Sequence, residues 1–211
     1  MLKVHEIFHS LQGESSRVGL PTVFVRLTGC PLRCGYCDTA YAFQGGENMT
    51  EAQILERVAS YGARYVTVTG GEPLAQKACL SLLNRLCDAG FDVSLETSGA
   101  MDIGAVDRRV SVILDIKTPG SGEAQKNLWS NLEHLKPLDE VKFVLCDRAD
   151  YDWARQVLQE RGIAGKCQVL FSPVYSTLNP TDLADWVLQD RLPVRMQVQL
   201  HKILWGETAG K

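Results

Sequence analysis

From residue 23 onward the apolar positions along the chain switch repeatedly between two periods. Short runs alternate every second residue: VFVRLTG (23–29), YVTVTGG (65–71), DVSLETSG (92–99), VSVILDIKT (110–118), EVKFVL (140–145) and QVLFSP (168–173). Such runs, rich in Val, Ile, Phe and Thr, predict strands. Segments of helical period lie between them. TEAQILERVASYG places Ile54, Leu55, Val58 and Tyr61 on one face, with Thr50 as N-cap and Gln53 in the capping-box position. PLAQKACLSLLNRLCDAG predicts a helix with Pro73 near its first turn and Gly90 just past its end. Further helical stretches fall near 124–136, 149–161 and 181–190. Another strand fits at Val4 to Phe8, and a last alternation, VRMQVQL, spans 194–200.

Strands alternating with helices imply βαβ units, hence a parallel sheet with right-handed crossovers. About six units are too few to close an eight-fold barrel. The expected fold class is therefore α/β: an open, partial (β/α) barrel of about six parallel strands, forming a single domain over residues 1–211. GAMDIGAVDRR, between the third and fourth strands, leaves room for a turn or so of helix and no more. In sheets of this kind ligands collect at the carboxyl ends of the strands. Those ends carry TGCPLRCGYCDT, TGGEP, ETSG, DIKTPGSG and SP, so five of the six have glycine-rich or polar chemistry.

With 211 residues and 45% apolar composition, the chain can fill one core and would be cramped as two. Its formal charge of −3 and the lack of a long Lys/Arg run argue against a large nucleic-acid footprint, which rests on neutralising phosphates. MLKVHEIFHSLQGE is interrupted by His, Glu and Gln, unlike a signal peptide. No apolar run approaches the ~20 residues that cross a bilayer. The expectation is a soluble cytoplasmic protein without membrane or nucleic-acid partners. There, seven cysteines do not form a disulfide framework. Cys79, Cys87, Cys146 and Cys167 sit among apolar neighbours and read as packing residues.

Cys30, Cys34 and Cys37 differ from these four: they share one loop with the spacing C-x3-C-x2-C. Soft thiolates at that density select zinc, copper(I) or an iron–sulfur cluster. A zinc site needs a fourth ligand, and none of His5, His9, His134 and His201 falls in a partner spacing. A redox C-x2-C would leave Cys30 idle. A [4Fe–4S] cluster on three thiolates leaves one iron open to an external ligand.

This loop at the end of the first barrel strand, with Tyr36 before its last Cys and GGEP (Gly70–Pro73) after the second strand, resembles the radical S-adenosylmethionine superfamily. The resemblance implies that Cys30, Cys34 and Cys37 hold the cluster, and that its open iron binds S-adenosylmethionine. It also implies contacts to that cofactor from Gly70, Gly71 and Glu72. Residues outside the shared motifs must indicate the chemistry. Arg26 falls on one face with Phe24 and Thr28 by strand alternation. Facing the lumen it would suit a substrate carboxylate; the alternative is an arginine paired at a sheet edge. Asp38 and Thr39 offer hard oxygens suited to Mg²⁺, or they simply cap the loop.

SLQGES, FVRLTGC with its cysteines and CDT, TGGEP, DIKTP and a terminal HK are together similar to the 7-carboxy-7-deazaguanine synthase family, from about Glu6 to His201. That resemblance implies Mg²⁺-dependent ring contraction of 6-carboxy-5,6,7,8-tetrahydropterin to 7-carboxy-7-deazaguanine, with loss of ammonia, in queuosine biosynthesis. By matched motif it places Leu11, Gln12, Gly13, Glu14, Thr69 and His201 at the pterin and Arg26 at its carboxylate. Thr39 and Asp38 would sit at Mg²⁺, and Tyr36, Ser98, Lys117 and Ser172 at S-adenosylmethionine. It further implies a homodimer and a reductant protein such as flavodoxin. The tail WGETAGK runs on past the His-Lys pair. The competing reading within the superfamily is a glycyl-radical-enzyme activating protein, which would need a protein-docking surface and no carboxylate-binding Arg26.

Overall fold

A computed structural model describes residues 1–206, 208 and 210; Glu207, Ala209 and Lys211 of the tail lie outside the described residues. The strands are β1 (Leu2–Leu11), β2 (Pro21–Leu27), β3 (Glu47–Met49), β4 (Tyr65–Gly70), β5 (Asp92–Thr97), β6 (Ser111–Asp115), β7 (Glu140–Leu145), β8 (Gln168–Pro173) and β9 (Arg195–Met196). They form one sheet in the order β3-β1-β2-β4-β5-β6-β7-β8-β9. Every neighbouring pair from β2 to β9 is parallel. On one side β1 pairs antiparallel with β2, and β3 antiparallel with β1. The sheet stays open, with β3 and β9 at its edges. This is the expected partial barrel, with the antiparallel pair added at one edge.

Alternation along the strands sorts the two faces. Val23, Val25 and Leu27 of β2, Val66 and Val68 of β4, and Val93 and Leu95 of β5 point to the helix side and are buried. Ile54 and Val58 of α1 (Glu51–Ala59) and Leu82, Leu83 and Leu86 of α2 (Cys79–Asp88) join the same core. The intervening positions, Phe24 and Arg26, Thr69, Glu96, Asp115 and Lys142, face a central cavity instead. The scattered cysteines follow the packing expectation most clearly at Cys79, which is fully buried in the core and whose thiol burial pushes up to about 12.

The capping box of α1 forms as expected: Gln53 N–H donates to Thr50 Oγ1 (3.2 Å) and Thr50 N–H to Gln53 Oε1 (2.8 Å). Helices α3 (Arg148–Arg161) and α4 (Pro180–Asp190) also lie where the periodicity puts them, capped by Asp147 and Asn179. Three expectations fail for local reasons. The helix read from Pro73 breaks: Pro73–Ala75 is a 3-10 turn and α2 starts only at Cys79. Gln76 is drawn out into extended backbone because its amide bonds Lys3 N–H, Lys3 C=O and Thr28 C=O. The stretch 124–136 holds only two short 3-10 turns. Its Asn127 and Asn131 side chains bond backbone groups of Lys117, Gly99, Met101 and Ile103, competing with helix formation. VRMQVQL yields only the two-residue β9, and Leu200 begins helix α5 (Leu200–Trp205), its N–H donating to Gly13 C=O at 3.0 Å.

The α1 cap is exposed and independent of the cavity. Thr50→Ala should lower unfolding free energy by about 1 kcal/mol in urea titration without changing the slope; an unchanged midpoint would mean that tertiary packing alone holds this helix.

Candidate active site

The cavity, about 500 Å³, opens at the carboxyl ends of β2 and β4–β7 and is overlaid by the C-terminal segment around α5. One wall carries the cysteine loop. Cys30, Cys34 and Cys37 are all half-buried, free and on the lining. Desolvation holds all three thiols above their ordinary value, and Lys117 is a cation that works against this at each. The sulfurs share a wall without converging as ligands of a single ion: among the described residues no three His, Cys, Asp or Glu side chains do so.

The loop is anchored from several directions. Cys37 N–H donates to Cys34 C=O (3.1 Å), Leu32 N–H to Cys30 Sγ (3.4 Å), and Gly35 N–H to Ser121 C=O (3.0 Å). Arg33 N–H donates to Glu123 Oε1 at 2.6 Å, and its guanidinium stacks over Phe43 at 4.3 Å. From β4, Gly71 N–H reaches Leu27 C=O (3.1 Å) and Glu72 N–H reaches Gly29 C=O (2.7 Å). Only glycine fits this approach. A Cβ on Gly70 would lie 2.2 Å from Leu27 O, at φ +142°, and one on Gly71 would lie 2.1 Å from Gly29 O.

Glu72 itself is fully buried. Its Oε1 accepts from Leu74 N–H and Thr97 Oγ1–H, and its Oε2 from Ser98 N–H (2.6 Å) and Ser98 Oγ–H (2.5 Å). The side chain expected to touch a cofactor is thus turned into the protein, where it binds the end of β4 to the end of β5. Ser172 is also fully buried and stands off the cavity lining. Gly70, Gly71, Ser98, Lys117 and Tyr36 do line it.

The opposite wall comes from the QGE turn after β1. Gln12 donates to Thr67 Oγ1 and Glu96 Oε1, both at 3.2 Å, and its Oε1 accepts Glu14 N–H at 3.3 Å. Its amide is therefore engaged within the protein and braces the turn. Glu96 Oε2 also accepts from Thr69 Oγ1 at 3.0 Å. Leu11, Gly13 and Glu14 line the cavity, and His201 of α5 packs on Gly13. Arg26 faces the cavity between Phe8 (5.5 Å) and Tyr41 (5.8 Å) and is paired with Glu6 Oε1 at 2.7 Å. Arg26 is lumenal and already carries a carboxylate partner, on β2 inside the sheet and not at its edge. Thr39 Oγ1 donates to Asp38 Oδ1 at 2.8 Å at the cavity rim. Partial desolvation opposes ionisation of Asp38, but the Thr39 hydroxyl and the charges of Lys202, Lys142 and His201 outweigh it and hold the carboxyl below its usual value.

Glu96, Asp115, Lys142, Tyr41 and Lys202 also line this cavity and were not singled out from the sequence. Strand parity could have found the first three, since each sits at a cavity-facing alternate position of its strand.

The fold matches a solved structure described as QueE from Escherichia coli, with TM-score 0.78 over 95% of this chain and 94% of that one, at 24% identity. The profile of the Radical SAM superfamily matches residues 24–118, from β2 through the DIKT segment after β6. An open parallel barrel with three cysteines at the end of its first parallel strand is the radical SAM class of protein, whose cofactors are a [4Fe–4S] cluster and S-adenosylmethionine. Two curated proteins named 7-carboxy-7-deazaguanine synthase align with nearly the whole chain. One, from Chlorobaculum tepidum, is 47% identical over 99% of this chain and 96% of its own length. The other, from Koribacter versatilis, is 42% identical over 99% and 100%. Within the radical SAM class, the chain belongs to the 7-carboxy-7-deazaguanine synthase family.

The contact between the turn and α5 yields a direct test. A Cβ on Gly13 would lie 2.1 Å from His201 Nδ1. Gly13→Ala should lift α5, so that the Leu200 amide exchanges about tenfold faster while the amides of β4 and β5 keep their protection; unchanged exchange at Leu200 would show that the helix does not depend on this contact.

Proposed function

We propose that this chain is a 7-carboxy-7-deazaguanine synthase, converting 6-carboxy-5,6,7,8-tetrahydropterin to 7-carboxy-7-deazaguanine with release of ammonia. The observation that carries the reading is the pairing of a three-cysteine wall with a lumenal Arg26 across one cavity of about 500 Å³. That volume suits a small molecule beside a cofactor. The activating-protein reading leaves no role for a lumenal arginine placed to meet a carboxylate.

The donor set fits the cofactors of the class. Three soft sulfur donors share one wall, and Gly70 and Gly71 bring backbone close to them without side chains. When bound, the cluster and S-adenosylmethionine would supply, with one electron from a reductant, the radical chemistry that activates C6 of the pterin. The protein's part is to hold and orient the reactants and exclude water. Cys30, Cys34 and Cys37 hold the cluster. Gly70, Gly71, Ser98, Lys117 and Tyr36 border S-adenosylmethionine, with Glu72 fixing the loop behind them. Gln12, Gly13 and Glu14 present an amide-braced backbone and a carboxylate to the pterin edge, flanked by Leu11, Thr69 and His201. Arg26 exchanges Glu6 for the substrate carboxylate, so one charged partner replaces another without leaving the guanidinium bare.

Asp38 and Thr39 would hold Mg²⁺, in keeping with a carboxylate kept ionised beside a hydroxyl at the cavity rim. Seven free cysteines agree with work in the cytoplasm, and among the described residues no helix is long and apolar enough to cross a membrane. A homodimer and a flavodoxin-type reductant rest on the family resemblance.

The test is anaerobic reconstitution with iron and sulfide, then incubation with reductant, S-adenosylmethionine, Mg²⁺ and the tetrahydropterin, with product read by mass spectrometry. 7-Carboxy-7-deazaguanine should form, vanish in Cys34→Ala, and fall at least about 100-fold in kcat/KM in Arg26→Ala. A cluster that cleaves S-adenosylmethionine yet makes no product would overturn the substrate and keep the class.

A further inference from the structure

Strand β7 holds the QGE turn at two buried points. Glu140 accepts the Ser16 N–H through both oxygens (2.9 and 3.2 Å). Two residues on, and on the same face, Lys142 donates to Glu14 Oε2 at 3.1 Å. Lys142 stands opposite Asp115 in the β6–β7 register, with Asp115 Oδ2 3.6 Å from its Nζ. The same Oδ2 lies 3.0 Å from Lys117 Nζ. A ladder of alternating charge, Glu14, Lys142, Asp115, Lys117, therefore crosses the lumen from the turn to the cysteine wall. All four line the cavity.

The ladder's charges are balanced, but its oxygens are not all paired. Glu14 Oε1 and Asp115 Oδ1 are buried and have no hydrogen-bond partner among the described residues. Glu14 as a residue is 9% exposed. Buried carboxylate oxygens are nearly always satisfied, so an orphan in a cavity wall marks a place for a donor that the ligand brings. Burial opposes the charge on Lys142, but Glu14, Asp115 and Glu96 outweigh it and keep the amine well above its usual range. An ammonium held so firmly between carboxylates is a fixed point from which Glu14 can be aimed.

We infer that Lys142 is a positioning residue for substrate recognition, its ammonium holding the Glu14 carboxylate so that the unpaired Oε1 accepts an N–H donor from the pyrimidine edge of the pterin. Lys142 acts through Glu14 and leaves the reacting carbon to others. The inference rests on the pterin reading above and assigns the residue behind its carboxylate contact.

The experiment compares wild-type, Glu14→Gln, Lys142→Met and the double variant as reconstituted holoenzymes. Binding of 6-carboxypterin is read by fluorescence quenching, and KM and kcat for the tetrahydropterin are read separately. S-Adenosylmethionine binding serves as the internal reference. K142M should weaken pterin binding and raise KM by about 30-fold or more, with kcat and S-adenosylmethionine binding within about threefold of wild type. E14Q and the double variant should bind pterin alike within about threefold, because removing Lys142 adds nothing once Glu14 is neutral. That comparison stands even where K142M alone does not fold, since the double variant leaves no unpaired charge on the Glu14 side. Unchanged pterin binding in K142M, or a double variant far weaker than E14Q, would overturn the inference alone. Wild-type holoenzyme that binds no pterin would overturn the substrate reading and this inference with it.

Discussion

The site depends on one buried carboxylate. Glu72 is wholly removed from solvent, yet its two oxygens accept hydrogen bonds from Leu74, Thr97 and Ser98, while its own N–H is bonded to Gly29. Those contacts join the ends of β2, β4 and β5 at the point where the cysteine loop leaves the sheet. A polar group buried this deeply costs free energy to desolvate, and it is tolerated here because hydrogen-bond donors surround both oxygens. The same residue explains why its neighbours must be glycines. With Glu72 drawn inward, the backbone of Gly70 and Gly71 runs against Leu27 and Gly29 with no space for a Cβ. The GGEP motif thus has a division of labour: glycines give approach, the glutamate gives rigidity, and Pro73 opens the turn that follows.

A second consequence concerns polarity. The helix side of the sheet is an apolar core, while the lumen side carries glutamate, aspartate, lysine and threonine, buried or half-buried and mostly cross-linked. Each such pair holds a polar group in low dielectric in one orientation, which is how a cavity is prepared before a ligand arrives. Arg26 illustrates this. Stacked between Phe8 and Tyr41 and paired with Glu6, it is already placed and charged.

Much of this was legible in the sequence, and the reason is local. Period-two runs, the Thr50–Gln53 cap and the cysteine spacing are short-range patterns, and strand ends of a parallel sheet collect the ligand chemistry by topology. The misses share the opposite character. Gln76 leaves its helix for the backbone of Lys3, which is 73 residues away in sequence, and Asn131 trades helix for Gly99 and Met101. Lys142 meets Glu14 across 128 residues. Nothing in the neighbourhood of these residues announces a partner so distant. The GGEP motif points to Glu72 as a cofactor contact, and only the packing shows its side chain turned inward onto Leu74, Thr97 and Ser98.

The most direct test of the account is the electron paramagnetic resonance spectrum of the reduced, reconstituted protein before and after S-adenosylmethionine is added. Three thiolates on one wall leave one iron of a [4Fe–4S] cluster open, so the account predicts a cluster signal whose g-values change when the cofactor binds. A cluster signal that stays the same, or zinc without sulfide in the same preparation, would contradict it.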